Sequence, residues 1–213
     1  MPEFEKQREN MVQQQIEARG VRDELVLNAM RRVKREDFVP DAFLSCAYDD
    51  RPLPIPARQT ISQPFIVGYM IEALALKGGE KVLEIGTGSG YAAAVLAEIA
   101  SKVYTVERIR KLADIAAKTL EEQGYDNVHV LHADGTKGWD EFAPFDAILV
   151  SAGATSIPEN LKNQLITGGR LIIPVGAHSF AQQVVRITRR KDGHFDVEKL
   201  ATVQFVPLIG DES

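Results

Sequence analysis

The chain has 213 residues, 45% of them apolar, and a formal net charge of −5. That balance excludes disorder and bounds the chain to one large domain, or one domain with an extension. Basic residues are scattered, a poor footprint for a nucleic-acid binder. The densest basic runs, 31–35 and 189–191, are each followed by an acid and read as solvated surface.

Residues 3–19 predict a polar, weakly amphipathic helix. A second helix starts after Asp23, a good N-cap, with Leu25, Val26, Ala29, Met30 and Val33 at helical spacing. Residues 36–62 carry Pro40, Pro52, Pro54 and Pro56 and show no periodicity. Irregular stretches of that length are often functional. Pro64 suits a first helical position, with Gln63 as cap and Ile66, Val67, Met70, Ile71 and Leu74 inward. From residue 80 strands and helices alternate. Strands are predicted at 81–85, 103–107, 128–132, 145–151 and 170–175, with helices at 91–100, 109–123 and from 158. Such alternation means a parallel sheet covered on both faces. The tail differs: strands at 182–188 and 199–205 join through Lys191-Asp192-Gly193, a hairpin turn sequence.

The most informative stretch is Val82-Leu83-Glu84-Ile85-Gly86-Thr87-Gly88-Ser89-Gly90-Tyr91. An apolar strand ends in an acid, and a glycine turn leads into a helix. Glycine lets the backbone approach a ligand, and a helix N-terminus favours anionic groups. The spacing is not that of dinucleotide binders. Glu84 would repel a diphosphate and hold a cationic amino group. The turn therefore favours S-adenosylmethionine over NAD. A carboxylate in a strand buried on both faces is expensive unless it meets a partner.

Glu107 ends the second strand, 21 residues after Gly86, where an acid can accept both ribose hydroxyls. Capping the helix at Arg108 is the alternative for that side chain. Asp134-Gly135 ends the third strand, placed either to meet the adenine amino group or simply to make a turn. His129 and His132 face opposite sides of one strand, and His178 and His194 lack ligand-spaced companions, so no metal site is expected. The lone Cys46 excludes an internal disulfide, suits a reducing cytoplasm and reads as a small buried residue. The polar N-terminus and the lack of a membrane-length apolar run lead to the expectation of a cytoplasmic protein without membrane partners; a monomer is expected, though no feature of the sequence decides it. Ser151-Ala152-Gly153-Ala154 stands where amino-directed nucleic-acid methyltransferases usually carry an Asn- or Asp-Pro-Pro-aromatic motif.

Several ordered stretches resemble the protein-L-isoaspartate O-methyltransferase family. They are Thr60-Ile61-Ser62-Gln63-Pro64, the glycine turn, 144–148, 168–176, 203–208, and the substrate-side loop 48–55. The resemblance covers about residues 10–210. It implies a doubly wound, Rossmann-like α/β core at 63–213, carrying a C-terminal strand hairpin. A helical extension and substrate-side loop would occupy 1–62, the whole forming one compact unit. It implies methyl transfer from S-adenosylmethionine to the α-carboxylate of L-isoaspartyl residues in damaged peptides and proteins. The ester then closes to a succinimide, which initiates repair. Carried onto this sequence, cofactor binding falls to Ile61, Gln63, Glu84, Gly86, Gly88, Glu107, Arg108, Asp134 and Gly135. Acceptor binding falls to Ser62, Val206 and Leu208, with Ser62 at the reacting end. From its local sequence alone, Ser62 reads better as a loop serine bonding nearby backbone; the resemblance reverses that preference.

Overall fold

A computed structural model of the chain describes residues 3–177 and 181–210; His178 lies outside them. Helix α1 (Glu3–Asn10) runs on through a wider π-type turn at Met11–Ile16 and a 3-10 turn at Glu17–Arg19. The single helix expected there is thus three geometries. The widening falls where the chain leaves solvent and buries Met11, Val12 and Ile16 completely. Helix α2 (Glu24–Arg32) is capped by Asp23, whose Oδ1 accepts from the backbone N–H groups of Leu25 and Val26 at 2.8 and 3.3 Å. Val26, Ala29 and Met30 are buried as their spacing requires, but Leu25 faces solvent.

The reading of 31–35 as solvated surface fails at Arg35, which is 0% exposed. Residues 36–62 are mostly irregular, yet they contain a small antiparallel hairpin of β1 (Leu53–Ile55) and β2 (Gln59–Ile61). Pro54 hid it, since proline argues against a strand unless one edge is free. Cys46 is half-buried rather than buried.

Helix α3 (Pro64–Leu74) begins at its proline. Gln63 occupies the cap position, but its side chain bonds elsewhere. Ile66 is only half-buried. Strands β3 (Lys81–Ile85), β4 (Lys102–Glu107), β5 (Val128–His132), β6 (Phe145–Val150) and β7 (Leu165–Val175) follow. They alternate with helices α4 (Tyr91–Ala97), α5 (Arg110–Glu122) and α6 (Glu159–Asn163). The main sheet has the order β5-β4-β3-β6-β7, parallel throughout, and continues with antiparallel β8 (Gln182–Arg189) and β9 (Phe195–Val203). β7 starts five residues earlier than expected, with Gly168 (φ +83°) in a register shift rather than in a turn before the strand. β9 likewise starts and ends earlier than expected.

Alternation along β3 sorts its residues to two faces. Val82 joins a core cluster with Met30, Met70 and Ile172, while Leu83 and Ile85 join another with Tyr104, Phe145 and Leu171. Glu84 follows Val82's face. Strand order reverses between β3 and β6, so the connections that follow these two strands leave toward opposite sides. That is where ligands bind in open α/β sheets.

The chain after β9 is held by Gln182, buried at the start of β8. Its Oε1 accepts from the Phe205 N–H at 2.7 Å and its Nε2 donates to the Phe205 carbonyl at 3.3 Å. Gly153 gives it room, since a Cβ there would overlap the Gln182 amide. Gln182→Ala leaves that backbone pair unmatched and should cost about 1–3 kcal/mol in urea unfolding. Amide exchange at Phe205 should quicken; unchanged stability and exchange would show that the segment is held by other contacts.

Candidate active site

The glycine turn leaves β3 at the switch point. Gly86, Gly88 and Gly90 have φ of +92°, +56° and +90°, a region other side chains rarely adopt. A Cβ on Gly88 would sit 3.6 Å from the Ile55 Cδ1, so the hairpin closes over the turn. Across the gap, the Ser151 N–H donates to the Ile85 carbonyl at 2.8 Å, tying the ends of β3 and β6.

Glu84 is fully buried. Its Oε2 accepts from the Thr105 hydroxyl at 2.7 Å, and Thr105 also bonds Thr87 at 2.6 Å. The Ser151 hydroxyl lies 3.5 Å from Oε1. No cation pairs with Glu84 among the described residues. Burial pushes its pKa up to about 8, with nearby Glu107 adding to the shift and the Thr105 and Ser151 bonds opposing it.

Of the alternatives weighed for Glu107, the structure shows the capping one. Its Oε1 accepts from the Ile109 N–H at the start of α5, and its Oε2 from the Gly88 N–H, each at 2.9 Å. One carboxylate thereby fixes the helix and the glycine turn, and each oxygen keeps a lone pair for a ligand. Asp134 Oδ1 accepts from the Thr136 N–H and hydroxyl at 2.9 and 2.7 Å, the turn geometry. Gly135 lies so close to Ile85 that a Cβ would come within 2.5 Å of its Cγ2.

Three adjoining cavities make the site. A slot is lined by Ile85, Gly86, Gly88, Glu107, Arg108, Gly135, Val206 and Leu208, among others. A small inner cavity is lined by Glu84, Thr87, Ile61 and Ser62. An outer groove of about 720 Å³ is lined by Arg19, Ser62, Gln63, Phe65, Ile66 and the segment 201–207. Thr60 and Ser151 border all three, and Ser62 borders the inner cavity and the groove. Val206 faces both slot and groove, whereas Leu208 lines the slot and not the groove. Gln63 lines the groove and not the slot, because its amide donates to Asp50 Oδ2 at 2.8 Å. Asp134 lies beside the slot, where Gly135 lines the wall.

The model of the protein-L-isoaspartate (D-aspartate) O-methyltransferase family matches residues 6–213. A protein-L-isoaspartate O-methyltransferase 1 of Rhodopseudomonas palustris (strain HaA2) is 60% identical, over 98% of this chain and 85% of the relative. One from Brucella anthropi is 53% identical, over 100% of this chain and 98% of the relative. A solved protein-L-isoaspartate O-methyltransferase superposes with a TM-score of 0.87 at 31% identity, over 96% of this chain and 66% of that one. A putative one from Plasmodium falciparum, in complex with S-adenosyl-L-homocysteine, gives 0.83 at 27% identity, over 95% and 98%. The chain belongs to the protein-L-isoaspartate O-methyltransferase family. It is a methyltransferase that uses S-adenosylmethionine and acts on L-isoaspartyl residues of proteins and peptides.

The site fits that cofactor. Two buried carboxylates, Glu84 and Glu107, neither paired with a cation among the described residues, flank a glycine turn at a helix start. Such a lining suits a ligand bearing an ammonium and a diol. Among the described residues, no cluster of three His, Cys, Asp or Glu is placed to hold a metal. Among the described residues, no helix is long and apolar enough to cross a membrane.

Several residues at the site escaped the sequence reading. Asp50 gathers the groove's rim: it pairs with Arg19 at 2.5 Å and accepts from Gln63 and, at 3.4 Å, from the Phe65 N–H. It thus caps α3 from a distant loop, the role expected of Gln63. Thr105 and Gln182 escaped because nothing local marks a strand residue as a ligand of something remote. Arg35 escaped because its neighbours are charged.

The Glu84 shift has a definite sign. Unfolded glutamate titrates near ~4.3, so between there and about 8 only the folded protein keeps the proton. Stability of the ligand-free protein should fall as pH rises through that window, and Glu84→Gln should flatten the slope in thermal unfolding. A cationic ligand favours the ionised carboxylate, so S-adenosylmethionine binding near pH 7 should release a proton in calorimetry and tighten toward pH 8. Glu84→Gln should abolish the release and weaken binding about ten- to hundredfold; the same proton release from the variant would assign it to another group. Glu107→Ala should weaken binding by roughly 2–3 kcal/mol, and unchanged affinity would remove Glu107 from the site.

Proposed function

We propose that the outer groove receives the isoaspartyl segment and that Ser62 orients its α-carboxylate toward the inner cavity. One observation carries this reading. Ser62 lies at the boundary of groove and inner cavity, and its hydroxyl makes no hydrogen bond to any described residue. A serine serving local backbone would show such a bond. Its carbonyl, by contrast, is tied to Arg35 at 2.9 Å.

The chemistry asks little else of the chain. S-adenosylmethionine supplies a sulfonium methyl group, and the acceptor supplies the electrons. A carboxylate titrating near ~4 is already ionised at neutral pH, so no general base is required. Opposite charges vanish as the methyl ester forms, so alignment and exclusion of water carry the rate. Glu84 would hold the cofactor's ammonium, and Glu107 its ribose hydroxyls. Gly86, Gly88 and Gly135 would let it lie close to backbone. Ile61 and Ile55, over the turn, would keep water out. Release of the ester precedes a step the protein need not assist. The following backbone nitrogen attacks the ester carbonyl, expels methanol and closes the succinimide, whose hydrolysis regenerates aspartate in part.

We further propose a monomer working in the cytoplasm on polypeptides rather than on nucleic acid or membranes. The net charge of −5 speaks against nucleic acid and anionic membranes, and the single cysteine suits a reducing compartment.

Ser62→Ala should lower kcat/KM on an isoaspartyl peptide by about one to three powers of ten. S-adenosylhomocysteine affinity and melting temperature should stay nearly unchanged. The aspartyl twin of the peptide should be inert with either enzyme. Near-normal turnover by the variant would return Ser62 to the status of a loop residue, and a large drop in melting temperature would make it structural.

A further inference from the structure

Arg35 is buried completely, with no carboxylate in ion-pair contact among the described residues. Burial lowers its pKa, and the neighbouring phenol of Tyr91, followed by Tyr48 and Asp50, opposes that shift. Taking a guanidinium out of water costs several kcal/mol, so its few contacts need a reason. Nε donates to the Ala47 carbonyl at 2.8 Å and Nη2 to the Ser62 carbonyl at 2.9 Å. The guanidinium carbon lies 4.8 Å from the centre of the Tyr91 ring. Tyr91 is the first residue of α4, directly after the glycine turn.

One rigid planar group therefore spans three pieces of chain: the loop before the hairpin, the segment bearing Ser62, and the helix that follows the turn. The Ser62 side chain has no anchor of its own, so its aim depends on its backbone. Of that backbone, Arg35 holds the carbonyl. Resting on the reading of Ser62 given above, we propose that Arg35 is a positioning residue for the acceptor, setting Ser62 relative to the methyl-donor cavity without touching substrate. Arginine suits the task and lysine does not. The two carbonyls and the ring require separate donors on a flat fork, and an ammonium offers a compact point charge.

The test is a double-mutant cycle in the full chain: Arg35→Lys, Ser62→Ala and both together, assayed on an isoaspartyl peptide. Arg35→Lys should lower kcat/KM by about ten- to hundredfold, the scale of a displaced reacting group. Its S-adenosylhomocysteine affinity should move by less than about threefold, and in the Ser62→Ala background it should lose less than about threefold further. Additive losses would overturn the inference while leaving Ser62's role intact. An equal loss of cofactor affinity would also overturn it, since that reports a loosened site. If Ser62→Ala is itself near normal, the reading of Ser62 fails and this inference falls with it. Should Arg35→Lys not fold, the native enzyme decides. The ¹⁵N signal of Arg35 Nε should shift on adding isoaspartyl peptide to the S-adenosylhomocysteine complex, and stay put with the aspartyl twin. No shift with the isoaspartyl peptide would overturn the proposal.

Discussion

A carboxylate without a cation sits at the centre of the sheet, and much of the molecule is arranged around it. Glu84 is fully buried at the end of β3, where the neighbouring strands turn to opposite sides. Two hydroxyls, from β4 and from the end of β6, satisfy part of its hydrogen-bonding capacity but supply no charge. Burial therefore holds it protonated near neutrality. The energy withheld by that arrangement is available to a cationic ligand and to nothing neutral. If Glu84 holds the donor's ammonium as proposed, selectivity for a positively charged methyl donor follows from strand topology plus one acid.

Arg35 is the complementary case. It too is a charge taken out of water, but it spends its hydrogen bonds on carbonyls, not on an acid. A buried ion pair would lock two side chains together. A buried guanidinium on two carbonyls locks backbone, which is what a loop needs when it must present a side chain with no anchor of its own. The rim follows the same logic with opposite sign: Asp50 collects Arg19, Gln63 and the first turn of α3. Two charged residues from outside the α/β core thereby hold the acceptor side to it.

Legibility in the sequence tracked how local each cause was. The glycine turn, the strand alternation and the Asp23 cap depend on residues within a few positions of one another, and each was read with its neighbours. The family resemblance located Ser62, whose local sequence pointed instead to a loop serine. What stayed hidden was long-range. Arg35 sits in a run of charged residues, and only the path of the chain shows that it points inward. The β1–β2 hairpin was masked by Pro54, tolerated because a two-stranded ribbon leaves one side of each strand unpaired. Gln182 and Asp50 act on residues 23 and 15 positions away. Gln63 shows the converse: its cap position was legible, while the partner that satisfies it and the N–H group of Phe65 was not.

The chemistry explains why so little of the site consists of reactive groups. A reaction that joins an anion to a cation needs no proton moved at the reacting atoms, and nothing in the cavities is set to move one. The strongly shifted carboxyl, Glu84, would in the proposed reading lie on the donor's side and answer to binding. Discrimination must then come from where the acceptor carboxylate is put. An isoaspartyl residue differs from its normal isomer by the placement of one methylene, too small a change for an apolar pocket to reject strongly. A fixed hydrogen-bonding group at the mouth of a closed donor cavity is more exacting, because a carboxylate displaced by the length of a bond loses both the contact and the line of approach. In the proposed reading that demand falls on the backbone around Ser62, and the buried contacts of Arg35 that hold it stiff would then carry the enzyme's specificity.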